Sequence, residues 1–371
     1  MGKLFSTIGA VALAAIWAAG TAGAGDYLIA ASKPNKVFLI DAAARRVVRD
    51  CDIPGRGSPL TVSPTTDGKI AYIVTNGWGE ISGIELDTCR EVFHANMSVG
   101  NIRGRIIGAM TVSRDGNWIF VVQSRVERLQ DRYNVLPHRI AVYSAKGGFD
   151  PAPMRTFEVP RGITILAPAK DGKHLWAGGH DLYKIDMASG EIVETIPILY
   201  WQDTRPTYGT PDGLSFWPIY ETTETMVLPY FAPIFEDRAA RDAVNWDAMT
   251  DYVIGMTTVD LATNQTKQTD LASLERIIFS IALSPTDPRF AYGAYSTLDK
   301  YDLVNGGLVK SVELDHTYYS IIASSDGKEL YVGSTISDIA VHSAETLEKL
   351  ANIELPGGGD QGAATIRIVQ R

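Results

Sequence analysis

His174 and His180 flank one short apolar segment, and this is the nearest the chain comes to a metal-ligand spacing. A structural or catalytic zinc ion takes three or four protein ligands, and no third donor lies close to this pair in the sequence. The remaining histidines, His94, His138, His316 and His342, form no H-E-x-x-H or comparable pattern, so no metal site is expected. Nucleophilic chemistry is equally absent: there is no G-x-S-x-G elbow. The stretch GRGSPL (55–60) lacks the final glycine of a dinucleotide fingerprint and opens no helix. No D-x-D-x-D-G calcium loop occurs. Carboxylates are plentiful, but no pair is marked as acid and base, and no catalytic residue is expected in this chain.

Cys51 and Cys89 are the only cysteines. They exclude a c-type haem attached through C-x-x-C-H, and an iron–sulfur site built from four thiolates of this chain. In an exported protein the pair forms either a disulfide or two buried thiols, and the sequence leaves both open. Export itself is expected from the first 24 residues: Lys3, an apolar stretch through Trp17, then Ala22-Gly23-Ala24 as a small-residue cleavage site. That stretch is short for a membrane span, though an uncleaved anchor is the alternative. Removing it takes one lysine and no acid from 34 basic and 43 acidic residues, so the net charge of −9 becomes more negative still. Such a balance argues against nucleic acid as a partner. No later segment is long and apolar enough to span a bilayer.

The elements that must position any site repeat along the chain. "PTTDGKIAYIVTN" (64–76), "SRDGNWIFVVQS" (113–124), "AKDGKHLWAGG" (169–179) and "SSDGKELYVGS" (324–334) share one plan: small polar residues, an Asp-Gly turn, then an apolar run. Each opens a unit of short segments rich in Val, Ile, Tyr and Leu and bounded by turn residues, which is a strand–turn signature. Asp-Gly suits a tight two-residue hairpin that needs positive φ. Six full units run over about 60–97, 109–160, 164–198, 212–271, 278–314 and 318–355. The third strand usually ends on an acid that can accept turn amides: Asp87, Asp186, Asp260 and Asp302, with Ser144 or Ser343 elsewhere. Residues 26–53 supply a second, third and fourth strand without a first, and 364–369 supply a first strand with nothing after it. Joined, they close a ring and remove its free edges. The predicted fold is all-β: residues 25–371 as one seven-bladed β-propeller of four-stranded blades, with the irregular unit 212–271 leaving six or eight blades open.

Two connections break the pattern. Residues 124–138 and, more strongly, 231–252 lengthen the link between the second and third strands of their units, the latter with a short helix in its middle. Both should emerge on the same face, where long loops on a rigid scaffold commonly carry contacts. Aromatic residues gather nearby, and Trp201 and Trp246 fall in predicted loops where contact is favoured over core.

The stretches "FAYGAYSTLDKYDL" (290–303), "HTYYSIIASSDG" (316–327) and "SAETLEKLANIELPG" (343–357), with "PRGITILAPAKDGKHLWAGGHDLYKIDMASGEIVE" (160–194), resemble the β subunit of quinohemoprotein amine dehydrogenase. The likeness runs over the chain after the leader and is densest beyond residue 275. The Asp-Gly turns are common to many propellers; the Y-Y-S phrase followed by T-L-E-K is more specific. The resemblance implies a periplasmic heterotrimer that oxidises primary amines to aldehyde and ammonia. It places cysteine tryptophylquinone in a small subunit and c-type haem in a larger one, which passes electrons to a soluble cytochrome or blue copper protein. The propeller would bind no covalent cofactor; it would cradle the small subunit and wall the substrate cavity. The expected contacts on this chain are Trp201, Trp217, Tyr318 and Tyr319, framed by the two insertions. A stand-alone exported binding module is the alternative, and a lactonase-like propeller enzyme a more distant one.

Overall fold

A computed structural model describes residues 24–199, 204–213, 217 and 219–371. Residues 1–23 of the expected leader lie outside it. Seven antiparallel sheets follow one another around a ring as four-stranded blades, blade three carrying two further short strands; in all but blade one the strands run in sequence order from the centre outward. The last strand, Arg367–Gln370, is the innermost strand of blade one and pairs with Asp26–Ser32, Ile29 facing Arg367 and Asp26 facing Gln370. The fold and its closure are those expected.

The strands form here because their apolar runs can be covered only from both sides. A blade's middle strands read as continuous buried segments, such as Leu28-Ile29-Ala30-Ala31. All but one of the apolar clusters lie between neighbouring blades. Ile29 packs with Val62 and Ile73 between blades one and two, and Leu28 with Ile322 and Tyr331 between blades seven and one. Burying one such side chain is worth roughly 1.5–3 kcal/mol, so a blade without neighbours would forfeit much of its stability. Inner-strand hydroxyls add a second tie. Thr365 accepts from Val62 N at 2.7 Å, Ser63 from Val112 N at 3.1 Å, and Ser280 from Ile321 N at 2.9 Å, each reaching the following blade.

The repeated Asp-Gly phrase has a more precise geometry than a two-residue hairpin. Gly68 N donates to Thr65 O at 2.8 Å, and Gly116, Gly172 and Gly327 donate to the residue three before them. These glycines have φ of 65°, 70°, 67° and 71°, whereas the preceding aspartates do not enter the left-handed region. Each Asp instead accepts the amide two residues on, as Asp171 does from Lys173 at 2.8 Å. Only the glycine position demands positive φ. The third-strand acids behave as expected at Asp186, Asp260 and Asp302, which accept turn amides at 2.7–3.0 Å. Asp87 does not. Glu85 holds that station and takes the Thr88 hydroxyl at 2.5 Å, while Asp87 pairs with Arg371 at 2.7 Å.

Cys51 and Cys89 form a disulfide, with Cα atoms 5.1 Å apart across 38 residues of sequence. It joins the outermost strand of blade one, Arg46–Asp52, to the turn after the third strand of blade two, Glu80–Glu85.

Candidate functional site

The links from second to third strand, and from one blade to the next, all emerge on the face where innermost strands begin. This is the loop face; the Asp-Gly turns occupy the opposite, turn face. Both insertions stand on the loop face. In blade three, Trp118–Arg128 overruns the ring and pairs with Ile102–Arg105 on one side and Tyr133–Val135 on the other. In blade five, Thr225–Phe235 and Met249–Asp260 are likewise lengthened and are joined through a helical turn, Arg238–Asp242. Asp237 caps that turn, accepting from Ala240 N at 2.7 Å.

An aromatic cluster lies at the loop-face end of the ring's centre. Phe279 stacks on Tyr295 at 4.1 Å and 14° and on Tyr319 at 5.0 Å and 25°. Trp217 completes it, 6.2 Å from Phe279 and 6.1 Å from Tyr319, with Nε1 donating to Ala363 O at 3.3 Å. Phe279 and Tyr319 occupy the same station of adjacent blades, each immediately before the serine of the inner strand. Such a surface suits an apolar or cationic group, because ring faces attract positive charge.

Blade five holds a polar network that reaches its outermost strand, Thr266–Ser273. Asp270 accepts from Arg205 at 2.7 Å, from the Tyr208 hydroxyl at 2.7 Å and from the Tyr230 hydroxyl at 2.5 Å. Burial alone would raise this carboxyl, but the two hydroxyls and the guanidinium outweigh it and hold it below its ordinary value. Burial, then the Asp270 carboxylate, push Tyr208 up to about 12. Tyr230 lines a cavity of about 200 Å³ between blades four and five, and Tyr208 lines one of about 290 Å³ under the helical turn, next to Trp246.

The ring's centre is not an open channel. Residues of blade five between 217 and 224 reach inner strands of distant blades. Besides the contacts of Trp217, the Tyr220 hydroxyl lies 3.3 Å from Thr111 Oγ1 in blade three, and Glu221 pairs with the buried Arg367 of blade one. Arg367 also donates to Val62 O of blade two at 3.0 Å and sits over the Tyr220 ring, while Glu224 takes a two-pronged pair from Arg114 at 2.6 and 3.1 Å. This segment is a plug. It separates the aromatic end from a polar pocket of about 220 Å³ on the turn face.

Of the four contacts expected from the resemblance, Trp217 and Tyr319 meet in the aromatic cluster, Trp217 itself buried against the core between blades and Tyr319 half-buried. Trp201 lies outside the described residues. Tyr318 is fully buried, and its hydroxyl is taken by Asp315 at 3.0 Å and Asp338 at 3.3 Å, so it offers a partner no surface and is a core residue. Neighbouring residues of an extended chain point to opposite sides, so only one of Tyr318 and Tyr319 can face the ring's centre. Phe279, Tyr295 and the plug ion pairs escaped the sequence reading; aligning Phe279 with Tyr319 in the repeat would have found the first. Among the described residues no group of three or more His, Cys, Asp or Glu side chains is arranged to hold a metal.

No protein-family model matches this chain, and no curated protein does. Solved structures do. A chain of Kuenenia stuttgartiensis hydrazine synthase matches with 16% identity and a TM-score of 0.55, over 86% of this chain and 89% of that one. A functionally unknown protein from Desulfotomaculum acetoxidans matches with 13% identity and 0.57, over 93% and 99%. Apo AztD from Citrobacter koseri matches with 14% and 0.53, over 94% and 98%. What they share with this chain is the propeller. Identities this low show the fold and do not single out an amine dehydrogenase.

Proposed function

We propose that this chain is the propeller subunit of an exported quinohemoprotein amine dehydrogenase, carrying partner chains on its loop face. One observation carries the docking part of that reading. Of 17 large hydrophobic side chains exposed among the described residues, 10 lie in loop-face connections, among them Trp78, Tyr133, Trp246, Met249, Ile277 and Ile336. Exposed apolar residues gathered on one face, rimmed by polar ones, are the mark of an interaction surface. The seven others are spread over outer strands and turn-face links.

The amine-oxidising part rests on the phrase-level resemblance, and the site chemistry supports it. The aromatic cluster of Trp217, Phe279, Tyr295 and Tyr319 suits the wall of a cavity for an ammonium bearing an apolar group. Both cysteines are spent in the disulfide, so the chain has no thiolate left for a haem or a quinone cross-link. The quinone belongs in this reading to a small subunit seated on the loop face, and c-type haem to a larger one that reduces a soluble cytochrome or blue copper protein. A disulfide is at home in an oxidising compartment, which agrees with a periplasmic site.

The test is to tag this chain in its native cell, purify it gently and record absorption before and after adding a primary amine. Haem bands on a co-purified larger chain that become reduced by the amine are expected. A colourless single chain, unchanged by amine, would replace this reading with a stand-alone binding module.

A further inference from the structure

The three strands standing above blade three form a small sheet outside the ring, and its register sorts the side chains. Arg103 faces Val126 and Arg105 faces Ser124 across one pairing; Arg128 faces Tyr133 and Val126 faces Val135 across the other. Directly paired residues, and residues two apart, share a side of a sheet. One side therefore carries Arg103, Arg105, Arg128, Tyr133 and Val135, all exposed, Tyr133 by 69% and Val135 by 53%.

This is a basic island on an acidic chain. Residues 99–108 and 124–139 hold six arginines against Glu127 and Asp131, whereas the whole chain is at −9. Among the described residues only Arg132 of the six meets a carboxylate, Asp131 at 3.0 Å. Arg103 donates to the Gly100 carbonyl at 2.9 Å and Arg105 to that of Gly77, and Nε of Arg125 is buried with no partner. Burial and then Arg125 hold the Arg139 guanidinium below its ordinary pKa, and burial and then Arg161 do the same to His138.

The same sheet has an open edge. Leu129 N donates to Arg132 O at 2.9 Å and Leu136 N to Arg125 O at 3.1 Å. Antiparallel bonding alternates, so Tyr133 and Val135 turn their N–H and C=O groups away from Trp118–Arg128. No strand among the described residues pairs on that side. A trough of about 500 Å³ adjoins Val135, lined by residues 135, 137, 138 and 158–161.

We propose that this edge takes an acidic, extended segment of a partner chain as an added strand along Tyr133–Val135, its carboxylates meeting Arg128 on the adjoining strand and Arg161 at the trough. Main-chain bonds to a free edge supply affinity, and charge complementarity selects the segment. The proposal rests on the loop face being a docking face, but not on that partner being a dehydrogenase.

The test titrates the full chain against a short labelled peptide of alternating glutamate and valine, read by fluorescence anisotropy and amide hydrogen exchange. Saturable binding is expected, with the amides of Tyr133 and Val135 gaining protection. Binding should weaken about tenfold or more in R128Q/R161Q, and likewise for the peptide N-methylated along its bonding edge. Should the double variant fold poorly, Val135→Pro removes one outward donor and leaves the pairing to Trp118–Arg128 intact. No binding by the peptide overturns the proposal. So does equal binding of the N-methylated peptide, or of phosphatidylglycerol vesicles without amide protection, since either means a general anion patch. Peptide binding in a preparation that shows no amine-driven haem reduction would sustain this proposal and remove the dehydrogenase reading; the reverse pattern would do the opposite.

Discussion

The turn face and the loop face are built from the same seven sheets, yet they have opposite chemistry. On the turn face blades two, three, four and seven repeat a small residue, an Asp and a Gly, with hydroxyls and carboxylates committed to local groups, as where Ser324 meets Asp326 at 2.7 Å. On the loop face no two blades agree. Blade three raises an arginine-rich sheet, and blade five a helical turn flanked by Glu236, Asp237, Asp242, Asp247 and Asp251 against Arg238 and Arg241. A partner seated across such a face would meet positive charge at one side and negative at the other, which fixes its orientation. Where the repeat is kept, residues hold the ring; where it is broken, they are free to serve another molecule. That division can be tested, because framework changes should cost stability without altering docking, and loop-face changes the reverse.

The largest framework effect is expected at the plug. Glu221→Gln leaves Arg367, 2% exposed, without its counter-charge. Breaking a buried pair from one side costs about 3–5 kcal/mol, and access from the turn-face pocket places this one toward the lower end. Urea unfolding should show the loss. An unchanged midpoint would mean that the plug does not brace the ring. Next is the disulfide: C51A/C89A releases a 38-residue loop and should cost about 2–4 kcal/mol, read in the same experiment. Neither change should alter peptide binding at blade three.

A smaller framework effect depends on pH. His342, in the third strand of blade seven, is 3% exposed; its Nδ1 lies 2.9 Å from Leu347 O and its Nε2 has no partner. Burial holds its pKa below the ordinary value. Between about 6.5, the unfolded value, and the lower folded value, the unfolded chain binds a proton that the folded chain refuses. Stability should therefore fall as pH drops below about 6.5 and level off beneath the folded pKa. Urea midpoints taken from neutral to mildly acidic pH should show this slope, and His342→Leu should remove its share. A slope unchanged in that variant would assign the acid sensitivity elsewhere.

The division also explains what could be read without coordinates. The ring, its closure by 364–369 and the siting of both insertions follow from apolar period and turn punctuation, which are local. The misplacement of Asp87 came from two acids two residues apart, Glu85 and Asp87, beside a register shift between Gly83 and Ile84. The plug was hidden because its partners are remote: Arg367 and Glu221 are 146 residues apart, and no local pattern links them. The arginine-bearing side of blade three needed the register, since Arg103 and Arg128 come together only when their strands pair.

The smallest effect on stability, and the sharpest test of the loop face, is expected at Trp246. Its ring is 58% exposed and meets Phe235 at 5.7 Å, so truncation uncovers little core and leaves no buried polar group unsatisfied. Trp246→Ala should change the unfolding free energy by less than about 0.5 kcal/mol. An exposed tryptophan above a cavity, at the end of an insertion, has the character of an interface anchor, and such residues commonly contribute 2 kcal/mol or more, about a thirtyfold loss of affinity. Co-purification of the partner chains with tagged Trp246→Ala should fall accordingly, while the variant alone unfolds like the parent. If both stability and partner recovery are unchanged, blade five's insertion lies outside the interface and docking is confined to the blade-three side. If stability falls instead, Trp246 belongs to the framework, and the line between kept and broken repeat has been drawn in the wrong place.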